Sequence, residues 1–166
     1  MVKIVEGTVL EIPFIKEIAE ETWPHTYGQI LEPLQLRFML DTIYSKNTLE
    51  QAMTEGSQKF LLLKDLDGYQ GFAAYGRRPN EPAVFKLHKI YVRPTCQGKG
   101  YGKMLIDEIK SDLRKQGITF LDLNVNRHNP AKEFYLKLGF KVIREEDIPI
   151  GPYWMNDYVM RLILDP

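Results

Sequence analysis

Residues 97–103 read QGKGYGK, with glycine at every second position from Gly98, and the chain passes at once from this loop into a helical pattern. The preceding run, AVFKLHKIYV, is long and rich in β-formers. A strand that feeds a glycine loop into a helix leaves several amide N–H groups unpaired and aimed at whatever occupies the turn, and a phosphate fits that description. Arg93, Lys99 and Lys103 flank the loop and favour an anion. The competing reading is a ligand-free turn whose cations are merely solvated. Two familiar phosphate loops do not match. GxxxxGK[ST] needs Ser or Thr after Lys103, where Met104 stands. Gly98, Gly100 and Gly102 give GxGxG, far from the first strand where the Rossmann fingerprint belongs.

The rest of the chain alternates in type. VKIVEG predicts a strand, and Leu10, Phe14, Ile15, Ile18 and Ala19 give helical spacing from about Val9 to Trp23, with Pro24 as the expected stop. After the loop PHTYGQILEP, a second helix is predicted from Pro33 to about Tyr44, and a short third near TLEQAMTEG. KFLLLKDL and GYQGFAAYGRR read as strands around the hairpin signal Asp67-Gly68. Beyond the glycine loop, Leu105, Ile106, Ile109 and Leu113 form one helix face, with Gly117 as its stop. ITFLDLNVN reads as a strand. In HNPAKEFYLKLGF, Asn129 caps a helix whose predicted buried face is Ala131, Phe134, Tyr135 and Leu138, and Gly139 ends it. FKVIREE and YWMNDYVMRLIL are predicted as closing strands, completing a mixed sheet with helices on both faces, an α+β (α/β layered) fold.

Composition bounds the partner. The 166 residues, 44% apolar and without repeat or linker, predict one domain over 1–166. Lysine plus arginine and aspartate plus glutamate stand at 22 each, which gives no reason to expect nucleic acid or an anionic membrane. No apolar run nears the roughly 18 residues of a membrane span, and MVKIVEGTVLEIPF does not read as a secretory leader. A lone cysteine, Cys96, excludes an internal disulfide framework. The expectation is a cytoplasmic protein with a small-molecule partner. His25, His88 and His128 lack ligand spacing, so no metal is expected.

IYVRPTCQGKGYGKMLI followed by LNVNRHNPAKEFYLKLGF resembles the two core motifs of the GNAT superfamily of acyl-CoA N-acyltransferases. The first is Q/R-x-x-G-x-G/A after a strand, matched by Gln97, Gly100 and Gly102. The second is an Asn- and Ala-bearing run closed by F-Y-x-x-x-G-F, matched by Asn129, Phe134, Tyr135, Gly139 and Phe140, with Lys132 in a variable slot. The resemblance covers roughly residues 84 to 142, and KIYV and MNDYVM are similar to the polyamine branch, typified by bacterial spermine/spermidine acetyltransferases. It implies a mixed, mostly antiparallel, twisted sheet of about seven strands, acetyl-CoA as acyl donor, an amine as acceptor and, for many members, a homodimer.

The resemblance also distributes roles. The amides of Gln97, Gly98, Lys99, Gly100, Tyr101, Gly102 and Lys103 would cradle the CoA pyrophosphate; Ile90, Tyr91 and Val92 would run beside the pantetheine arm like an added strand, and Asn129 would touch it. A splayed, bulged strand would aim an N–H near Ile90 or Tyr91 at the thioester oxygen. Tyr135 is the candidate acid, because a phenol of pKa about 10 can protonate a departing thiolate of about 8.5; the alternative is a core tyrosine.

The acceptor needs a base, since an alkylamine of pKa about 10.4 is roughly a thousandfold protonated at neutral pH. Family members often carry a glutamate where this chain has His88. Histidine suits the role, with Asp122 and Glu81 as alternatives. Strict alternation, however, places Lys86, His88 and Ile90 on one face and Leu87, Lys89 and Tyr91 on the other, so His88 and Tyr91 share a cleft only across a bulge. Trp23, His25 and Tyr27 are placed to line an amine pocket by cation–π contact, with Asp122 nearby, unless the aromatics simply close a helix corner. Small amines or polyamines are favoured as acceptors. The alternatives are a protein or peptide amine, or a CoA-binding sensor without turnover.

Overall fold

The computed structural model describes residues 1–165. In chain order it contains β1 (Lys3–Gly7), α1 (Ile12–Tyr27), α2 (Pro33–Ile43), α3 (Lys46–Thr54), β2 (Lys59–Asp65), β3 (Gly68–Arg78), β4 (Glu81–Val92), α4 (Tyr101–Lys115), β5 (Phe120–Asn126), α5 (Ala131–Lys137), β6 (Lys141–Ile150) and β7 (Tyr153–Ile163). One seven-stranded sheet runs β1-β2-β3-β4-β5-β7-β6. Every neighbouring pair is antiparallel except β4 and β5, which α4 joins by a crossover and which therefore run parallel. Among the described residues, no helix is long and apolar enough to cross a membrane.

Helices cover both faces, and the sequence of β2 shows why. Phe60 to Leu63 are all buried: Leu61 and Leu63 pack toward α4, whose Leu105, Ile106, Ile109 and Leu113 are sealed in that core, while Phe60 and Leu62 pack toward Ile15, Ile18, Met39 and Leu49 of α1 to α3. A strand apolar at every position needs a partner on each side. At about 25 cal/mol per Å², each such fully buried side chain contributes roughly 1.5–3 kcal/mol.

Two local expectations fail for tertiary reasons. Pro24 does not stop α1, which continues to Tyr27. Proline costs the helix one amide, but the extra turn keeps Trp23 and Tyr27 in an aromatic cluster, with ring centroids 4.6 Å apart and Trp23 5.8 Å from Tyr44. The Pro24 carbonyl then accepts the Gly28 N–H at 2.9 Å. Phe134 is not on the buried face of α5: it is 37% exposed and lies over the start of α4, its ring 3.4 Å from where a Gly102 side chain would begin.

Candidate active site

β4 belongs to two different neighbours along its length. From Val84 to Leu87 it pairs with Phe120 to Leu123 of β5; beyond that point β4 follows β3 to Val92 while β5 follows β7. The strands part, and an open cleft of about 670 Å³ lies between them, walled by Leu87 to Val92 on one side and Leu123 to Val125 on the other. A bulge begins the parting. Tyr75 faces Leu87 and Ala74 faces Lys89, so His88 is an extra residue without an opposite. Alternation breaks there. Leu87 and Ile90 pack in the α4 core, whereas Lys89 and Tyr91 pack toward α1 to α3, and His88 and Tyr91 both reach the cleft.

The glycine loop forms the mouth. Gly98 and Gly100 have φ of 86° and 82°, a region that L side chains rarely adopt, and Gly100 turns the chain directly into α4. The amides of Gly98, Gly100, Tyr101, Gly102 and Lys103 meet no backbone carbonyl among the described residues. Those of Gln97 and Lys99 are taken, at 3.3 Å by Pro94 and 3.4 Å by Cys96. The free amides thus sit at a helix N-terminus with nothing to bond, which is an anion cradle. Its flanking charges differ from expectation. Arg93 holds Glu17 at 3.0 Å, Glu21 and the Tyr69 carbonyl, and Lys99 does not line the cleft, its Nζ lying 5.9 Å over the Tyr101 ring. Lys103 lines the cleft while pairing with Asp107 at 2.7 Å.

Tyr135 lies on the cleft wall, packed edge-on against Phe134 and Phe140 at 5.3 and 5.8 Å. Its hydroxyl has no hydrogen-bond partner among the described residues, and burial, then the neighbouring Tyr27, raises its pKa. α5 starts one residue later than expected, with Pro130 and not Asn129 at its N-cap; Asn129 Oδ1 nevertheless accepts the Ala131 N–H at 2.9 Å, and Asn129 lines the cleft as well. Tyr27 closes the inner end, its hydroxyl 3.3 Å from that of Tyr91. Burial raises the pKa of both, so they are neutral polar groups in an aromatic wall.

Other expected residues lie elsewhere. Trp23 is buried in the aromatic cluster, Nε1 donating to the Tyr44 hydroxyl at 3.3 Å, and offers no face to a ligand. Lys132 points away, its Nζ 4.5 Å over the Tyr158 ring. Asp122 is outside the cleft altogether. It sits below the parting, fully buried, bonded by Arg161 at 2.7 and 2.9 Å and by Arg78 at 3.1 Å. Glu81 is exposed at the start of β4, 3.8 Å from Arg78. Neither carboxylate lines the cleft.

His88 is placed well and tuned poorly. It is exposed to the open cleft yet surrounded by protein below, and desolvation followed by the charges of Lys86, Lys89 and Arg78 takes its pKa down to about 3. A neutral imidazole can accept a hydrogen bond, but one so weakly basic gains little from an ammonium proton. Lys89 beside it is buried, bonded to Gln58 at 2.7 Å, and desolvation with Lys86 nearby brings its pKa down to about 8. Sequence reasoning passed over Asn124, Lys89, Thr22 and Thr26, which also line the cleft. For Asn124 the signal was available: a polar residue at the point where the LNVN strand parts from its neighbour. Among the described residues, no cluster of His, Cys, Asp or Glu could hold a metal ion.

Comparison with known proteins places this geometry. An uncharacterized N-acetyltransferase of Lactobacillus delbrueckii subsp. lactis is 27% identical across 98% of both chains. The spermidine N(1)-acetyltransferase of Thermoplasma acidophilum is 28% identical over 85% of this chain and 89% of its own. The crystal structure of PaiA N-acetyltransferase from Thermoplasma acidophilum in complex with coenzyme A superposes with a TM-score of 0.82, 26% identity, and 97% and 98% of the two chains covered. The acetyltransferase (GNAT) domain model matches residues 29–153, three quarters of the chain, and the protein therefore belongs to the GNAT acetyltransferase family.

Proposed function

We propose that the protein transfers an acetyl group from acetyl-CoA to a primary amine by direct attack, with a small amine or polyamine as acceptor, in the cytoplasm. One observation carries the reading: parted strands meet a cradle of free amides at one end and the unpartnered Tyr135 hydroxyl on the wall. The amides of Gly98, Gly100, Tyr101, Gly102 and Lys103 hold the donor's pyrophosphate. The unpaired edge of Ile90 to Val92 offers backbone groups to the amide-bearing arm, and Asn129 lies opposite.

Each residue has a job that its surroundings permit. The β4 backbone past the His88 bulge turns an N–H to the thioester oxygen, where charge develops during attack. Tyr135 keeps its proton until the thiolate leaves. A hydroxyl with no protein partner and a raised pKa stays protonated in the resting enzyme and is free to turn to the sulfur. His88 accepts a hydrogen bond from the incoming amine without competing for its proton.

Thiol release from acetyl-CoA with spermidine, spermine, simple diamines, amino acids, aminoglycosides and short peptides tests this, with CoA binding measured in parallel. Fast release with a small amine supports the reading. Tight CoA binding with no release across the panel replaces it with a sensor domain. A peptide acceptor is the second reading, favoured by the cleft lining: it includes His25, His88, Lys89 and Lys103, and no carboxylate is exposed on it to gather the several charges of a polycation.

A further inference from the structure

Two buried acceptor atoms beside the cleft have nothing to bond: Oδ1 of Asn124 and Oδ1 of Asp157. The side chains are tied together, Asn124 Nδ2 donating to Asp157 Oδ2 at 3.3 Å. Asn124 forms the cleft wall where β5 has just left β4, and Asp157 on β7 is 5% exposed behind it. Buried acceptors without donors are costly, and native folds rarely leave two together.

The missing partner has a defined chemistry. Both bare atoms accept, so it must donate more than once; one belongs to a carboxylate, so a cation fits better than a neutral donor. A primary ammonium offers three N–H groups and one charge. Among the described residues, no basic side chain does this. Arg127 reaches only the Asp157 backbone carbonyl, at 3.3 Å, and sends its Nη2 to Asp147 at 2.9 Å and Glu145 at 3.8 Å. Lys86 on β4 acts on Asp157 only through space, as do Glu146 on β6 and Tyr27 on α1.

We propose that the acceptor's ammonium group, by turning aside the Asn124 side chain that separates Asp157 from the cleft, docks against Asn124 Oδ1 and Asp157 Oδ1, and that the Asp157 carboxylate takes its first proton, an assignment that rests on the acetyl-transfer reading. R–NH3+ gives one proton to Asp157 and becomes R–NH2. Its nitrogen forms the C–N bond to the thioester carbonyl as the C–S bond breaks. The departing thiolate takes the Tyr135 proton, and the Tyr135 phenolate recovers one from the nitrogen. The products are the acetamide and the CoA thiol, with the Asp157 proton passing to solvent. The carboxylate suits the step. Burial holds Asp157 above the ordinary carboxyl range, Glu146 adds to the shift, and the Asn124 bond, Lys86 and Arg127 oppose it. A raised carboxyl stands closer to an ammonium than an ordinary one does.

The test loads the whole chain with CoA and titrates it calorimetrically with n-propylammonium chloride at neutral pH, comparing wild type, Asp157→Asn and Asn124→Leu. Wild type is expected to bind, and the variants to bind about tenfold more weakly or worse, with CoA affinity unchanged. Should Asp157→Asn fail to fold, Asn124→Leu, close in volume, carries the comparison. No binding by wild type, or equal binding by a folded variant, overturns the proposal. In a second arm, thiol release with the fastest amine of the panel is followed against pH. Asp157→Asn should lose the acidic limb of kcat/KM, and a wild-type profile overturns the proton step. If no amine turns over at all, the acetyl-transfer reading falls, while the calorimetry still decides the ammonium site.

Discussion

Asp122 and Asp157 lie on the same face of β5 and β7: Asp122 is opposite Arg161, Asn124 opposite Val159, and Asn126 opposite Asp157. One carboxylate is saturated and the other is not. Asp122 sits where β4 and β5 are still hydrogen-bonded, and two arginines satisfy both of its oxygens. Asp157 sits past the parting, with one amide on one oxygen and nothing on the other. Below the parting, both oxygens of the buried carboxylate are paired, although Nη2 of Arg78 beside it is left bare; above, the sheet exposes backbone edges and leaves two acceptor oxygens bare. The difference separates what the fold requires from what a ligand must supply, and it leaves Asp122 bound within the sheet and outside the cleft.

That division predicts a double dissociation. Tyr135→Phe removes a hydroxyl that the fold does not use, so turnover in the thiol-release assay should fall by about 10²–10⁴ while CoA affinity and thermal midpoint hold. Undiminished activity in this variant would return Tyr135 to the core. Asp122→Ala should do the reverse. It leaves two arginines facing an empty buried site and should lower stability in denaturant by about 3–5 kcal/mol, while kcat of the folded fraction stays within a fewfold of wild type. A large loss of kcat with intact stability would erase the contrast between the two carboxylates.

How much of this was legible in the sequence depended on whether the signal was local. The β2–β3 hairpin, the Gly98 and Gly100 loop, and the start of α5 to within one residue are set by residues within a few positions of one another, and each was readable. The course of α1 past Pro24 was not, because it depends on Tyr44 and Tyr91 packing against Trp23 and Tyr27 from distant elements. The parting of β4 from β5 begins with one unpaired residue, His88; a one-residue bulge leaves no trace in hydrophobic periodicity once both faces are covered, so the splay was expected from the family resemblance alone. Asp122 and Asp157 stand in LDLNVN and MNDYVM as interchangeable strand aspartates. Only the fold shows that arginines bond the carboxylate of one and that none bonds the carboxylate of the other.

Two of the glycines with positive φ allow a finer cut. Gly100 and Gly117 have φ of 82° and 72°, with nothing within 4 Å of an added Cβ, so alanine at either position costs backbone strain alone, about 1–2 kcal/mol. Gly100 precedes the free amides of α4, whereas Gly117 follows the far end of that helix. Gly100→Ala should therefore weaken CoA binding about tenfold beyond its effect on stability, and Gly117→Ala should not. Equal CoA affinity in both variants would detach the cradle from the cofactor.

The smallest effect is expected at His88, the residue on the boundary between the two regions. With its pKa down to about 3, the imidazole is neutral across the assay range, so His88→Ala should leave the shape of the kcat/KM profile unchanged. Its titration should appear in stability instead. Between about 6.5, the unfolded value, and about 3, the unfolded chain binds a proton that the folded chain refuses. Folding free energy therefore declines as pH falls through that window, and His88→Gln should flatten part of the decline in denaturant titrations. A kinetic limb near 6.5 that vanishes in His88→Ala would mean that the imidazole titrates as if solvated. The bulge would then hold a working base, and the proton would have a route that bypasses Asp157.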